Sequence, residues 1–162
     1  MRYVARLGLG VGAMCLSVAA FAGQAAANSG AATPEQRCAQ LQGASGFANT
    51  TVTKTQRMLG DSAANLPAFC EVTATISPVP GSKITAVYRL PDSWNGKMLG
   101  LGGGGWAGNV TLAAGSQGLT RGYAMAQTDA GHADTNSADP RWTLNNPVAV
   151  TDFSHRAIHE TA

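Results

Sequence analysis

The 162-residue chain is 12% charged and 44% hydrophobic, with 20 glycines and a formal charge of +2. That balance excludes a disordered, fibrous or collagen-like polypeptide, and the length allows one domain or part of one.

Arg2 and Arg6 precede an apolar stretch over residues 7–22, and small-residue sites follow at Ala20-Phe21-Ala22 and Ala25-Ala26-Ala27. This is the layout of a secretory signal peptide, with cleavage after Ala22 or as late as Ala27. A membrane anchor is the weaker reading: Gly8, Gly10 and Gly12 interrupt the stretch, which falls short of the ~20 apolar residues that span a bilayer. The expected order is a signal peptide over 1–22, a flexible leader over 23–33 and a folded portion over 34–162, secreted or periplasmic. Cleavage removes Arg2 and Arg6 and brings the formal charge to zero, leaving no basic footprint for nucleic acid or anionic lipid. Cys15 leaves with the signal. Of the two cysteines that remain, Cys38 and Cys70, an oxidising compartment favours a disulfide over a metal site, which needs more ligands nearby; two buried free thiols are the alternative.

Thr33 as cap, Pro34 at the first helical position and Glu35 in the first turn predict a helix ending near Gly43, with Cys38 and Leu41 on one face. Residues 70–77 alternate with Val72, Ala74 and Ile76 on one face, and residues 83–91 with Ile84, Ala86, Tyr88 and Leu90. The Pro-Val-Pro-Gly link between them predicts an antiparallel hairpin. Residues 97–101 read as a short buried strand running into glycines, residues 106–121 as a loop, and 122–129 as a further strand whose polar end spills into Ala130-Gly131-His132. Residues 133–148 are polar and irregular, and a helix is expected to start at Thr151 or Asp152. The sequence stops inside that helix at Ala162 with no cap, which predicts an incomplete polypeptide.

A glycine-rich turn after a strand serves three chemistries. A phosphate-binding P-loop needs lysine and a hydroxyl residue after its last glycine, and Trp106 and Ala107 stand there. Gly100-Leu101-Gly102-Gly103-Gly104-Gly105 matches a dinucleotide fingerprint, with Asp129 at the end of the next strand. The glycines at 108, 115, 118 and 122 argue against the helix that would hold a pyrophosphate. The third use is an oxyanion hole, where a backbone N–H must reach a substrate carbonyl oxygen unobstructed by any Cβ. The competing structural reading is a tight turn packed under Trp106.

Four ordered blocks carry a resemblance: Cys70-Glu71-Val72 with its hairpin, Leu90-Pro91-Asp92-Ser93-Trp94-Asn95-Gly96-Lys97, Gly102-Gly103-Gly104-Gly105-Trp106-Ala107-Gly108, and residues 122–132 from Gly122-Tyr123 to Thr128-Asp129-Ala130-Gly131-His132. Together they resemble the tannase and feruloyl esterase family of secreted α/β-hydrolases, which also includes a bacterial mono(2-hydroxyethyl) terephthalate hydrolase. The resemblance implies an α/β fold in which residues 34–162 are the N-terminal part of the hydrolase sheet, and a serine esterase acting on small-molecule esters of aromatic acids. It implies that Gly105 is the backbone N–H donor of the oxyanion hole with Gly104 beside it, and that Cys38 and Cys70 form the family's N-terminal disulfide. The nucleophilic serine in Cys-Ser-x-Gly-Gly, the catalytic aspartate and histidine, and a lid that often holds calcium would all lie beyond Ala162. The 162 residues by themselves are then expected to be inactive, with no cofactor and no metal of their own.

Other patterns read as decoys. Ala114-Gly115-Ser116-Gln117-Gly118 mimics a nucleophile elbow, but no buried strand precedes Ser116. His155 and His159 share a helix face without a third ligand, and Asp134, Asn136 and Asp139 lack the glycine and distal glutamate of a calcium loop. Asp129 and His132 are pocket candidates at a strand's carboxyl end, although such residues more often satisfy turn backbone. The rival function is a non-catalytic secreted module that binds polyphenol or glycan through Trp94, Trp106 and Trp142.

Overall fold

The computed structural model describes residues 31–162; the signal-peptide reading and Cys15 lie outside the described residues. Among them, no helix is long and apolar enough to cross a membrane. Helix α1, Pro34–Gln40, starts as its residues dictate. The Thr33 hydroxyl accepts the Gln36 N–H and the Gln36 side chain accepts the Thr33 N–H, so two orphan amides of the first turn are satisfied reciprocally.

A five-stranded mixed sheet follows: β1 Thr50–Met58, β2 Phe69–Ile76, β3 Ile84–Pro91, β4 Met98–Leu101 and β5 Ala124–Thr128, in the spatial order β1-β2-β3-β5-β4. β2 and β3 form the expected hairpin, with Val72 opposite Tyr88 and Ile76 opposite Ile84. β5 inserts between β3, to which it is antiparallel, and β4, to which it is parallel. Helices cover both faces. Ile76, Ile84 and Ala86 pack under Ala157 of the C-terminal helical segment, while Phe69 and Met125 pack with Leu119 of α2, Leu112–Thr120, on the other side. Next to the first cluster Cys38 and Cys70 are bonded, with Cα atoms 5.5 Å apart, and pack with Val52 and Val72. The disulfide therefore staples α1 to the sheet.

Three expectations need correction, and one strand stands where the sequence announces none. Strand β1 has no apolar alternation to announce it: Val52 is its one buried residue, and a bulge between Val52 and Lys54 breaks the period. Its place is set by pairing with β2, and by Gln42, whose side chain accepts the Thr55 N–H and donates to the Thr53 carbonyl. Strand β4 is not buried; it is the sheet edge, with Met98 48% and Leu99 42% exposed. Residues 106–121, expected as a loop, contain α2, because Gly115 and Gly118 lie on its buried face, where the helix closes on Met125. The last helix begins four residues earlier than Thr151, at Pro147, with the Asn146 side chain capping Ala149 N–H. It runs as α3 Pro147–Thr151, a π-helical turn Asp152–Arg156 and α4 Ala157–Thr161.

Candidate functional site

Because β4 and β5 are parallel, with Leu101 opposite Gln127, their carboxyl ends open on the same edge of the sheet. That edge is where open α/β sheets present their ligand crevice. The glycine run leaves β4 there, and Asp129 to His132 leaves β5 beside it.

The glycine run contains a tight turn. Ala107 N–H donates to the Gly104 carbonyl at 3.1 Å, so residues 104–107 form a β-turn with Gly105 at its second position. Gly105 has φ +57°, and a Cβ there would run into the Ser137 carbonyl oxygen. Glycine is therefore demanded by the backbone at 105. At Gly104 a Cβ would meet nothing within 4 Å, so packing does not explain that glycine. Trans peptides hold C=O and N–H on opposite sides. The Gly104 carbonyl turns into the turn toward Ala107, so the Gly105 N–H points out of it. Among the described residues no acceptor takes the Gly104 or Gly105 N–H, and both residues are exposed.

The far half of the turn is strapped down. Trp106 N–H donates to the Ser137 carbonyl at 2.9 Å, Gly108 N–H to the Asp134 carbonyl at 2.6 Å, and His132 Nε2 lies 2.6 Å from the Trp106 carbonyl oxygen. A carbonyl only accepts, so Nε2 carries the proton. The imidazole stacks on Trp142 at 3.8 Å, and Trp106 stacks on Phe153 at 5.5 Å, which makes one aromatic cluster of Trp106, His132, Trp142 and Phe153.

Asp129 bonds to turn backbone at the exit of β5. Its Oδ1 accepts the N–H groups of Thr85 and Gly131, both at 2.9 Å, and with Ala130 and Gly131 at positive φ it shapes the exit that delivers His132. Asp134, Asn136 and Asp139 each accept the amide two residues on. Asp139 is bonded to Arg141, whose guanidinium holds its carboxyl down at about 2. His155 and His159 are both exposed, and among the described residues no three His, Cys, Asp or Glu side chains converge for a metal. Ser116 sits in mid-helix in α2, its hydroxyl donating to the Ala113 carbonyl at 2.9 Å; it has no elbow. Trp94 lies apart from the aromatic cluster, its indole N–H on the Lys97 carbonyl, so the three tryptophans share no single platform.

Sequence reasoning missed the polar row behind the glycines. Arg89 is 3% exposed and pairs with Glu71 at 2.8 Å, and the Gln127 side chain accepts from Thr111 N–H at 3.0 Å. That row fixes the start of the crossover to α2. The only sequence signal was Arg89, a charged residue within the largely apolar run 84–91.

The family model described as tannase and feruloyl esterase matches residues 70–162, more than half of the chain. A probable feruloyl esterase of Arthroderma benhamiae is 40% identical over 104 residues, covering 58% of this chain and 19% of that protein. Feruloyl esterase B of Aspergillus niger is 34% identical over 92 residues, covering 57% and 17%. The chain thus spans about a fifth of the length of the curated relatives it matches. The crystal structure of feruloyl esterase B from Aspergillus oryzae superposes with a TM-score of 0.66 at 24% identity, covering 80% of this chain and 27% of that one. An esterase from the same organism gives 0.65 at 22% identity, covering 78% and 28%. At these identities the likeness is one of fold, a mixed sheet flanked by helices.

Proposed function

The chain belongs to the tannase and feruloyl esterase family, and on that premise we propose that it supplies the oxyanion-binding part of an exported serine esterase for aromatic-acid esters. The observation that carries this reading is the outward Gly105 N–H, which has no protein acceptor among the described residues and stands at the carboxyl edge of the parallel β4–β5 pair. An ester carbonyl placed against it accepts one hydrogen bond from Gly105. A second donor, the amide following the nucleophile, and the serine itself come from chain beyond residue 162. Serine attacks the carbonyl carbon while a histidine takes the hydroxyl proton; the carbonyl electrons move onto oxygen and are held by the two amides. Collapse expels the alcohol and leaves an acyl-serine, which water hydrolyses to the aromatic acid. Removing one such donor typically costs about 10²–10³ in kcat. Export is supported by the signal-peptide layout of residues 1–22 and by the Cys38–Cys70 disulfide.

The test is hydrolysis of methyl ferulate and a galloyl ester by the full-length protein and by the isolated 162 residues. The full-length protein is expected to turn over and the 162 residues are not. Turnover by the 162 residues that disappears in Ser116→Ala would overturn the assignment.

A further inference from the structure

We propose that His132 is a positioning residue that heads a hydrogen-bonded chain of peptide units ending at the Gly105 N–H, and so aims and polarises the donor assigned above; the inference rests on that assignment.

The chain can be followed atom by atom. His132 Nε2–H donates to the Trp106 carbonyl. The same peptide unit carries the Ala107 N–H, which donates to the Gly104 carbonyl at 3.1 Å. That unit in turn carries the Gly105 N–H, directed away from the turn. Each link aligns the next because a trans peptide is rigid and planar. Each bond also draws electron density along the series, so the terminal N–H becomes a stronger donor than an isolated amide. A developing oxyanion is the group that gains most from such a donor, because charge-assisted bonds are roughly twice as strong as neutral ones.

The head of the chain is held by its turn and by two aromatic rings. Asp129 sets the turn that delivers His132, and the His132 N–H donates to the Asp129 carbonyl at 3.2 Å. Trp142 stacks on the ring, and Phe153 meets it edge-on at 5.6 Å. A ring so confined, with its proton committed to one carbonyl, defines a direction. A simple packing role would not need that carbonyl bond, and the two roles separate experimentally.

Three variants of the full-length protein make the separation. His132→Gln keeps an N–H at about the Nε2 position; His132→Asn keeps polarity but not the reach; His132→Phe keeps the stacking and loses the donor. Phe and Asn are expected to lower kcat by about 10- to 100-fold, the range for a small misplacement of a catalytic group, with KM within about twofold. Gln is expected to stay within about threefold of the parent. In a ¹⁵N-labelled protein the Gly105 amide proton should move upfield in Phe and Asn and stay near its parent position in Gln. Should Phe fail to fold, the Asn and Gln contrast decides. Parent-like kcat in Phe or Asn overturns the proposal, and so does an equal loss in all three. If the parent protein hydrolyses no aromatic ester, the esterase assignment fails, and the amide shift alone then judges the hydrogen-bonded chain.

Discussion

Replacing both Cys38 and Cys70 by alanine removes the bond between α1 and β2 and releases a loop of 32 residues' separation. In the chain-entropy account the loss is 2.1 + 1.5R ln n cal/mol/K, which for a loop of this size comes to roughly 3.7 kcal/mol at 25 °C. Both cysteines are buried, at 2% and 7% exposure, and alanine gives up only a sulfur atom at each, so the cavity contribution is small beside the entropic one. For a domain of this size that corresponds to a fall in melting temperature of about 10–20 °C. Thermal and urea unfolding followed by circular dichroism measures it. The parent should lose the same stability on reduction, whereas the double alanine variant should not respond to reductant. Since the effect lies in the unfolded chain, the urea m-value should also rise as the denatured state expands. A fall of less than about 3 °C with an unchanged m-value would show that the disulfide contributes little. It would mean that α1 is held by other contacts, the ion pair of its Glu35 with Arg57 and the Gln42–Thr55 bond just beyond its end.

Two further predictions concern the loops of the site. Gly105→Ala should destabilise the fold by about 1–2 kcal/mol, the cost of a left-handed non-glycine residue, with more from the Ser137 carbonyl, whereas Gly104→Ala should leave the melting temperature unchanged; equal shifts would contradict the turn geometry. Asp139 is bonded to Arg141 and titrates at about 2, below its ordinary 3.8. Its folded pKa is depressed, so the pair's contribution is present above pH 4 and is lost as pH falls toward 2. Carboxyl ¹³C titration should show this, and Arg141→Ala should return Asp139 toward its ordinary value.

What was legible in the sequence divides along physical lines. β2, β3 and β5 are announced by apolar side chains, since each buries at least one face against a helix. The capped start of α1 is equally local. β1 was not legible because its place comes from backbone pairing and from Gln42, with Thr51, Thr53, Lys54 and Gln56 exposed. α2 was hidden by the same glycines that let it approach Met125: low helix propensity argued for a loop, and tertiary packing overrode it. At the site, the run of glycines was visible in the sequence. The reason that Gly105 differs from Gly104 was not, because it depends on the Ser137 carbonyl thirty-two residues away and on a turn closed by Ala107. His132 was singled out for its place at a strand exit; its partner, a main-chain carbonyl, leaves no trace in a sequence.

In the proposed reaction the Gly105 N–H meets charge on a reacting acyl oxygen across the open side of Gly104. Gly104→Val in the full-length protein is the sharpest test, because a Cβ at 104 has no protein atom among the described residues within 4 Å and the melting temperature reads whether the branched side chain leaves the fold intact. The expected outcome is a fall in kcat/KM for an aromatic ester of about 100-fold or more at an unchanged melting temperature. Parent-like turnover by a folded Gly104→Val protein would contradict it.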